Sequence, residues 1–417
     1  MRAINRFHRP EFGRRGSLAS LLALSVLMGA SLGLAENAAG KSLPSAADCQ
    51  DRKIRTADGC QRPAAVGQEL TRIIKGDRQA AKLRAVIARI EIAGKKILRR
   101  GFGNSQTGVP ATPNMNFRIG SMVIPVLTSV IYQLHEEDRI KLNDPISTWL
   151  PGLPGASQIT VRMLMNNTSG YLDWIQKNPP FQNKVIADPF HLWSGSDLLS
   201  TALDRGFSCP PGTCFSYAHT NFLILTRILR KLEPESTVVA ELRERLLRPL
   251  GIKMAFSRLA PIPFPALSAY TTERNIFEES TGWSPSWGLG QGMLATASID
   301  NVTKLGKGIL SGRRLSSRSR ADFVRQYAPG LGPDPASTYF AQGFIEVNGW
   351  RRQNPYFNGY MGNVGWFPAK RIVVSLVGTT GPDTTVPDGE NVTDDILADI
   401  AEYLTPSNSP ALPKPPG

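Results

Sequence analysis

Ser121 stands in the stretch Phe117-Arg118-Ile119-Gly120-Ser121-Met122-Val123-Ile124-Pro125, where the chain turns into an apolar, helix-periodic pattern. A hydroxyl so placed is either a helix cap, a role serine fills well, or a nucleophile that needs a base to take its proton. Far downstream, Tyr217-Ala218-His219 follows the loop Cys209-Pro210-Pro211-Gly212-Thr213-Cys214. An imidazole with an ordinary pKa of about 6.5 is mostly neutral at pH 7 and can accept a proton. A phenol with a pKa of about 10 leaves only about one group in a thousand ionised, so it suits a hydroxyl relay or an orienting donor better than a phenolate base. A third run, Gly359-Tyr360-Met361-Gly362-Asn363, reads as a glycine-rich turn into a strand, where the bare backbone of Gly362 lets a ligand lie close.

Elements must bring these stretches together. Periodicity predicts a helix over 68–82, then a β-hairpin of 83–92 and 96–101 turning at Gly94-Lys95. A helix follows from Ser121 to His135, with Pro125 tolerated in its first turn. Residues 145–284 are loop-rich with helical segments at 161–165 after Thr160, at 196–202 and at 221–232. The run Gly288-Leu289-Gly290-Gln291-Gly292 leads to a helix over 299–310. Strands are expected at 339–347, 362–367 and 372–377, and a closing helix at 393–404. From Thr405 the chain is rich in Pro and Ser and reads as a disordered tail.

The ends and the charge set the class. Arg2, Arg6, Arg9, Arg14 and Arg15 precede an apolar run from Leu18 to Ala30 and the small residues of Gly33-Leu34-Ala35, the pattern of a secretory signal peptide over 1–35. No other stretch is long and apolar enough for a membrane span, so export to the periplasm or medium is expected, without a stable span after cleavage. Removing five arginines and Glu11 takes the formal charge from +14 to +10. That balance suits anionic envelope surfaces or merely solvated faces, and the destination argues against nucleic acid. Cys49, Cys60, Cys209 and Cys214 would meet oxidising conditions. Sequence proximity favours Cys49–Cys60 and Cys209–Cys214 among the three connectivities, although spacing alone does not fix them. No metal motif or phosphate-binding glycine loop is present, and no cofactor is expected. His135 and His191 read as structural. The oligomeric state is not legible.

From about Leu83 to Leu404 the chain resembles the serine β-lactamase and penicillin-binding-protein superfamily, closest to its class C-like and esterase branch. The landmarks come in that family's order: a hairpin, the Phe-Arg-Ile-Gly-Ser stretch, Asp144-Pro145, Thr168-Ser169-Gly170, Pro211-Gly212-Thr213 before Tyr217, and a glycine-rich strand. The resemblance implies an α/β (α+β) fold with an antiparallel sheet flanked by helices, built from both chain ends. It divides the chain into a tether at 36–66, a discontinuous α/β domain at 67–145 and 286–404, a mostly helical insert at 146–285 and a tail at 405–417.

The same resemblance implies a site. The family pairs its serine with a lysine three residues on, and here that slot holds Ile124; its Tyr-x-Asn becomes Tyr217-Ala218-His219; its Lys-Thr-Gly or His-x-Gly aligns with Tyr360-Met361-Gly362. The catalytic candidates are therefore Ser121, Tyr217 and His219, with His219 standing in for the lost lysine. The substrate-binding candidates are Tyr360, Gly362 and Asn363, the last near an oxyanion hole. With no cation at the third motif, penicillins and D-alanyl peptides are disfavoured and a small amide, ester or lactone is favoured. The alternative is an inactive relative that binds a peptidoglycan fragment or an envelope partner.

Overall fold

The computed structural model describes residues 49, 52–290, 292–331, 337–385 and 391–411. The expected signal peptide and most of 36–51 lie outside these residues. What remains of the expected tether is structured. Strands β1 (Ile54–Thr56) and β2 (Gly59–Gln61) pair as a hairpin, bridged by Cys49–Cys60. Helix α1 (Pro63–Ala80) begins earlier than residue 68, because proline at the first helical position has its φ preset and gives up no needed donor.

The hairpin of β3 (Ala85–Ile92) and β4 (Lys95–Gln106) turns through Ala93 and Gly94, both at positive φ. After β5 (Val109–Pro110) and β6 (Asn116–Arg118) comes a 3₁₀ turn, Gly120–Val123, and then α2 (Ile124–Glu136). Ser121 thus lies in a tight turn ahead of the helix rather than in its first α-turn. Nearly every side chain of α2 from Ile124 to Tyr132 is buried, as an apolar helix enclosed on all sides requires.

The span 146–285 carries α3 (Val161–Met165), α4 (Pro179–Ala187), α5 (Gly195–Leu203), α6 (His219–Leu232) and α7 (Val238–Leu242). Its second part is irregular, with the short strands β7 (Ala255–Phe256), β8 (Tyr270–Thr271) and β9 (Glu278–Glu279). Next come β10 (Ala295–Ser298), α8 (Ile299–Gly308) and α9 (Ser317–Phe323). The chain closes with β11 (Thr338–Phe340), β12 (Ile345–Val347), β13 (Trp350–Gln353), β14 (Tyr356–Phe357), β15 (Tyr360–Phe367), β16 (Ile372–Thr379) and α10 (Thr393–Leu404). The strand expected over 339–347 is split in two by a turn through Gly343, at φ +100.

Among the described residues the main sheet runs β11-β12-β13-β15-β16-β3-β4-β5, antiparallel at every pairing, with β14 added beside β15. Its centre joins the two chain ends: Ala85 pairs with Thr379 and Ile92 with Ile372. Alternation splits β3 between two cores. Ala85 and Ile87 face the core of α2, α6 and α8, while Val86, Ala88 and Ile90 face that of α1 and α10. Residues 405–410 are not a loose tail. Asn408, Ser409 and Pro410 offer their carbonyls to Trp350 Nε1 (2.9 Å), Asn348 Nδ2 (2.8 Å) and the buried Arg352 (2.6 Å).

Candidate active site

Gly120 explains where Ser121 sits. At φ +49 it turns the backbone in the region glycine favours, and a Cβ there would meet Pro355 at 2.6 Å. The serine turn is therefore pressed against the segment that follows β13. Ser121 itself is nearly covered, and its hydroxyl lies near enough to the Tyr217 phenol to favour the ionised form of that group.

Tyr217 and His219 are placed by a stitched pair of loops. Asn167, buried and at φ +60, accepts the Ser216 N–H on its carbonyl at 2.9 Å. Its side-chain oxygen accepts the Ala218 N–H at 3.1 Å and Asn221 Nδ2 at 2.8 Å. Gly170 meets the Cys209 carbonyl so closely that a Cβ would lie 2.2 Å from it, and Cys209–Cys214 closes that loop. The Thr-Ser-Gly landmark is thus the bed on which the Tyr-x-His stretch lies. Burial, with the Asp173 charge adding to it, pushes the Tyr217 phenol far above its ordinary range, and the nearby Ser121 hydroxyl only partly offsets this. Tyr217 is a neutral phenol.

His219 opens α6, whose N-cap, Ala218, has no capping side chain. The cap comes from Asp173 instead: Oδ2 accepts the His219 backbone N–H and also lies 2.8 Å from His219 Nδ1. That second approach is close but off the line of the ring N–H. Oδ1 accepts the N–H groups of Ile175 (2.7 Å) and Gln176 (2.8 Å). Burial alone would raise the Asp173 carboxyl, yet His219 beside it and the backbone donors outweigh burial and hold it below the usual carboxylate range. A buried negative charge at a helix N-terminus is also favoured by the helix dipole. With Nδ1 turned to Asp173, Nε2 is the ring nitrogen left to face the cavity that His219 lines. The His219 ring touches Trp174 and, edge-on at 5.2 Å between centroids, Tyr217.

Ser121, Tyr217 and His219 all line one cavity of about 940 Å³. Ile124 does not; it is fully buried, packed towards Gly343. The third motif is displaced from where the sequence put it. Tyr360 is buried and its hydroxyl donates to the Leu267 carbonyl at 2.5 Å. Gly362 lies behind the serine turn, where a Cβ would meet Met122 at 2.7 Å, and its N–H is spent on the Pro355 carbonyl at 2.8 Å. Asn363 is buried and donates to Asp394 at 2.6 Å. None of the three lines the cavity. Its wall is formed instead by Gln353, Asn354 and Pro355 and on through Asn358, because this segment, which joins β13 to β14 alongside β15, sets Pro355 against both Gly362 and the serine turn. Asn391 fixes it, donating to the carbonyls of Asn354, Pro355 and Gly362.

Asp173 was not legible as a partner of His219. It lies three residues after Gly170 but far from His219 in sequence, and no spacing rule joins them. Among the described residues no cluster of His, Cys, Asp and Glu is arranged to hold a metal. His135 and His191 stand elsewhere, His135 Nδ1 on the Ile140 carbonyl at 3.0 Å and His191 against Trp193.

A serine at a glycine-bent turn, sharing a cavity with a neutral tyrosine beside a sheet made from both chain ends, has a counterpart among known families. The family model described as Beta-lactamase matches residues 70–397. The chain belongs to the Beta-lactamase family. Within it, the chain is 24% identical over 262 residues to a putative penicillin-binding protein, PbpX, of Bacillus subtilis, covering 61% of this chain and 60% of that one. A teichoic acid D-alanine hydrolase of Staphylococcus aureus is 35% identical over 145 residues, 34% of each chain. The chain thus spans about three-fifths of PbpX and about a third of the hydrolase. The fold matches that of the D-amino acid amidase of Ochrobactrum anthropi, with TM-score 0.68 at 19% identity over 80% of this chain and 98% of the other. It also matches a D-stereospecific amidohydrolase of Streptomyces, with TM-score 0.66 at 20% identity over 76% and 94%.

Proposed function

We propose that this Beta-lactamase-family protein is an exported serine hydrolase that forms an acyl-enzyme on Ser121 from an ester, amide or lactone. The observation that carries this reading is that Ser121, Tyr217 and His219 line one cavity, with the imidazole backed by a buried carboxylate. Ser121 Oγ attacks the substrate carbonyl. Its proton passes by way of the neutral Tyr217 hydroxyl to His219, which supplies the basic nitrogen in place of a lysine and then protonates the departing alcohol or amine as the acyl–O or acyl–N bond breaks and the acyl-enzyme forms. Asp173 is a positioning residue: it fixes the ring and stabilises the imidazolium that forms, as an orienting carboxylate does behind other catalytic histidines. Water then hydrolyses the acyl-enzyme by the reverse proton path. The teichoic acid D-alanine hydrolase and the amidases among its relatives support acyl-group release as the reaction class. Two disulfides and the arginine-rich, apolar N-terminal segment support export.

Fully buried Ile124 favours the second reading, a binding protein whose lysine-dependent chemistry is gone. Purified protein treated with a fluorophosphonate, alongside Ser121→Ala, decides between them by intact mass. Serine-dependent adduct formation is expected; no adduct on the folded wild-type protein leaves only the binder. A fluorescent penicillin run in parallel is expected to label weakly or not at all.

A further inference from the structure

We propose that the cavity beside Ser121 is an acyl-chain subsite, and that the preferred substrates are uncharged esters or amides of medium to long aliphatic acids. This deepens the hydrolase reading and rests on it only for the position of the scissile bond.

The cavity of about 940 Å³ is at the upper end of the roughly 300–1,000 Å³ of small-molecule sites, far more than an acetyl or alanyl group fills. Its walls are apolar on several sides: Ile175 and Ile186 from the helical insert, Trp287 and Leu289 ahead of β10, Phe340 on β11 and Ile262 on the long loop after β7. Among the described lining residues Arg118 is the only lysine or arginine. One terminal nitrogen donates to the carbonyls of Ala260 (2.7 Å), Thr281 (3.2 Å) and Trp283 (3.1 Å). An uncharged chain is favoured by the apolar walls and by the carboxylate of Glu273 beside them. Glu273, also on the wall, would repel a substrate carboxylate.

The apolar lining continues to the surface. Leu259 lines the cavity and is nonetheless 56% exposed, and beside the lining residue Pro263 stands Phe264, 93% exposed. Single exposed apolar residues are ordinary, but these prolong an apolar cavity outward beside a nucleophile. A chain longer than the cavity would leave along this path.

Two measurements test the subsite separately from the chemistry. On wild-type protein, kcat/KM for p-nitrophenyl esters from acetyl to decanoyl should rise by about fourfold for each methylene that enters the cavity. On Ser121→Ala, calorimetry should detect decanamide binding, acetamide should give no signal, and decanoate should bind about tenfold or more weaker than decanamide. Ile186→Glu should flatten the chain-length series and abolish decanamide binding. Should that variant not fold, the wild-type series and the Ser121→Ala titrations still decide. Equal kcat/KM for acetyl and decanoyl esters, or decanoate binding as tightly as decanamide, overturns the subsite while leaving the hydrolase standing. Decanamide binding without turnover of any ester and without fluorophosphonate adduct upholds the subsite and overturns the hydrolase.

Discussion

Replacing Asp173 by asparagine keeps the shape of the side chain and removes its charge. The carboxylate accepts from the Ile175 and Gln176 N–H groups on one oxygen and faces the His219 N–H and Nδ1 with the other. An amide offers one acceptor and one NH₂. Whichever way it turns, the NH₂ faces backbone donors, and each buried group left without a partner costs about 1–3 kcal/mol. The imidazole also loses the anion that holds its ring and stabilises its protonated form. Positioned acid–base catalysis contributes about 10²- to 10⁴-fold, so kcat on the best ester found should fall by about that factor with KM little changed. Unfolding followed by circular dichroism supplies a second readout. Asp173 lies below its ordinary range in the folded protein, so its contribution to stability is present above the unfolded carboxylate pKa of about 4. It is lost as pH falls through the lower, folded value, and Asp173→Asn should lack that part of the acid limb. A folded Asp173→Asn protein with wild-type kcat and an unshifted pH–rate profile would refute the role given to the Asp173–His219 pair.

Restoring the family lysine with Ile124→Lys should destabilise by about 3–5 kcal/mol, the scale of an uncompensated buried charge, without raising ester turnover; chemical denaturation and a rate assay check both. Reducing Cys209–Cys214, or replacing both cysteines by serine, should cost about 2 kcal/mol for so short a loop and lower kcat, because the loop leads directly into Tyr217. Burial first, then the neighbouring Asp399, raises the Asp77 carboxyl to about 7. The folded state therefore binds the extra proton: stability rises as pH falls from about 7 towards 4 and is lost as pH rises through 7. Asp77→Asn should raise Tm at pH 8 and flatten that slope, seen in melting curves across pH.

The sequence by itself determined a good deal. The apolar runs of 85–92 and 372–377, and the one after Ser121, are local signals, and they marked buried strands and a buried helix before any partner was known. The order of landmarks pointed to the family that the match over 70–397 shows. The edge of the cleft was another matter. Gly359 to Asn363 carries the right residues for a motif, but Pro355 and Asn391 pack against Gly362, and which stretch of a sheet faces a cavity is set by packing, not by composition. Residues 405–410 looked unanchored until Asn348, Trp350 and Arg352 were found to hold their carbonyls. Asp173 likewise is one aspartate in a loop until tertiary structure sets it against the N-terminus of α6, 46 residues on. A lone carboxylate acquires meaning only from the groups that surround it in space, and those come from chain segments whose separation no local pattern encodes.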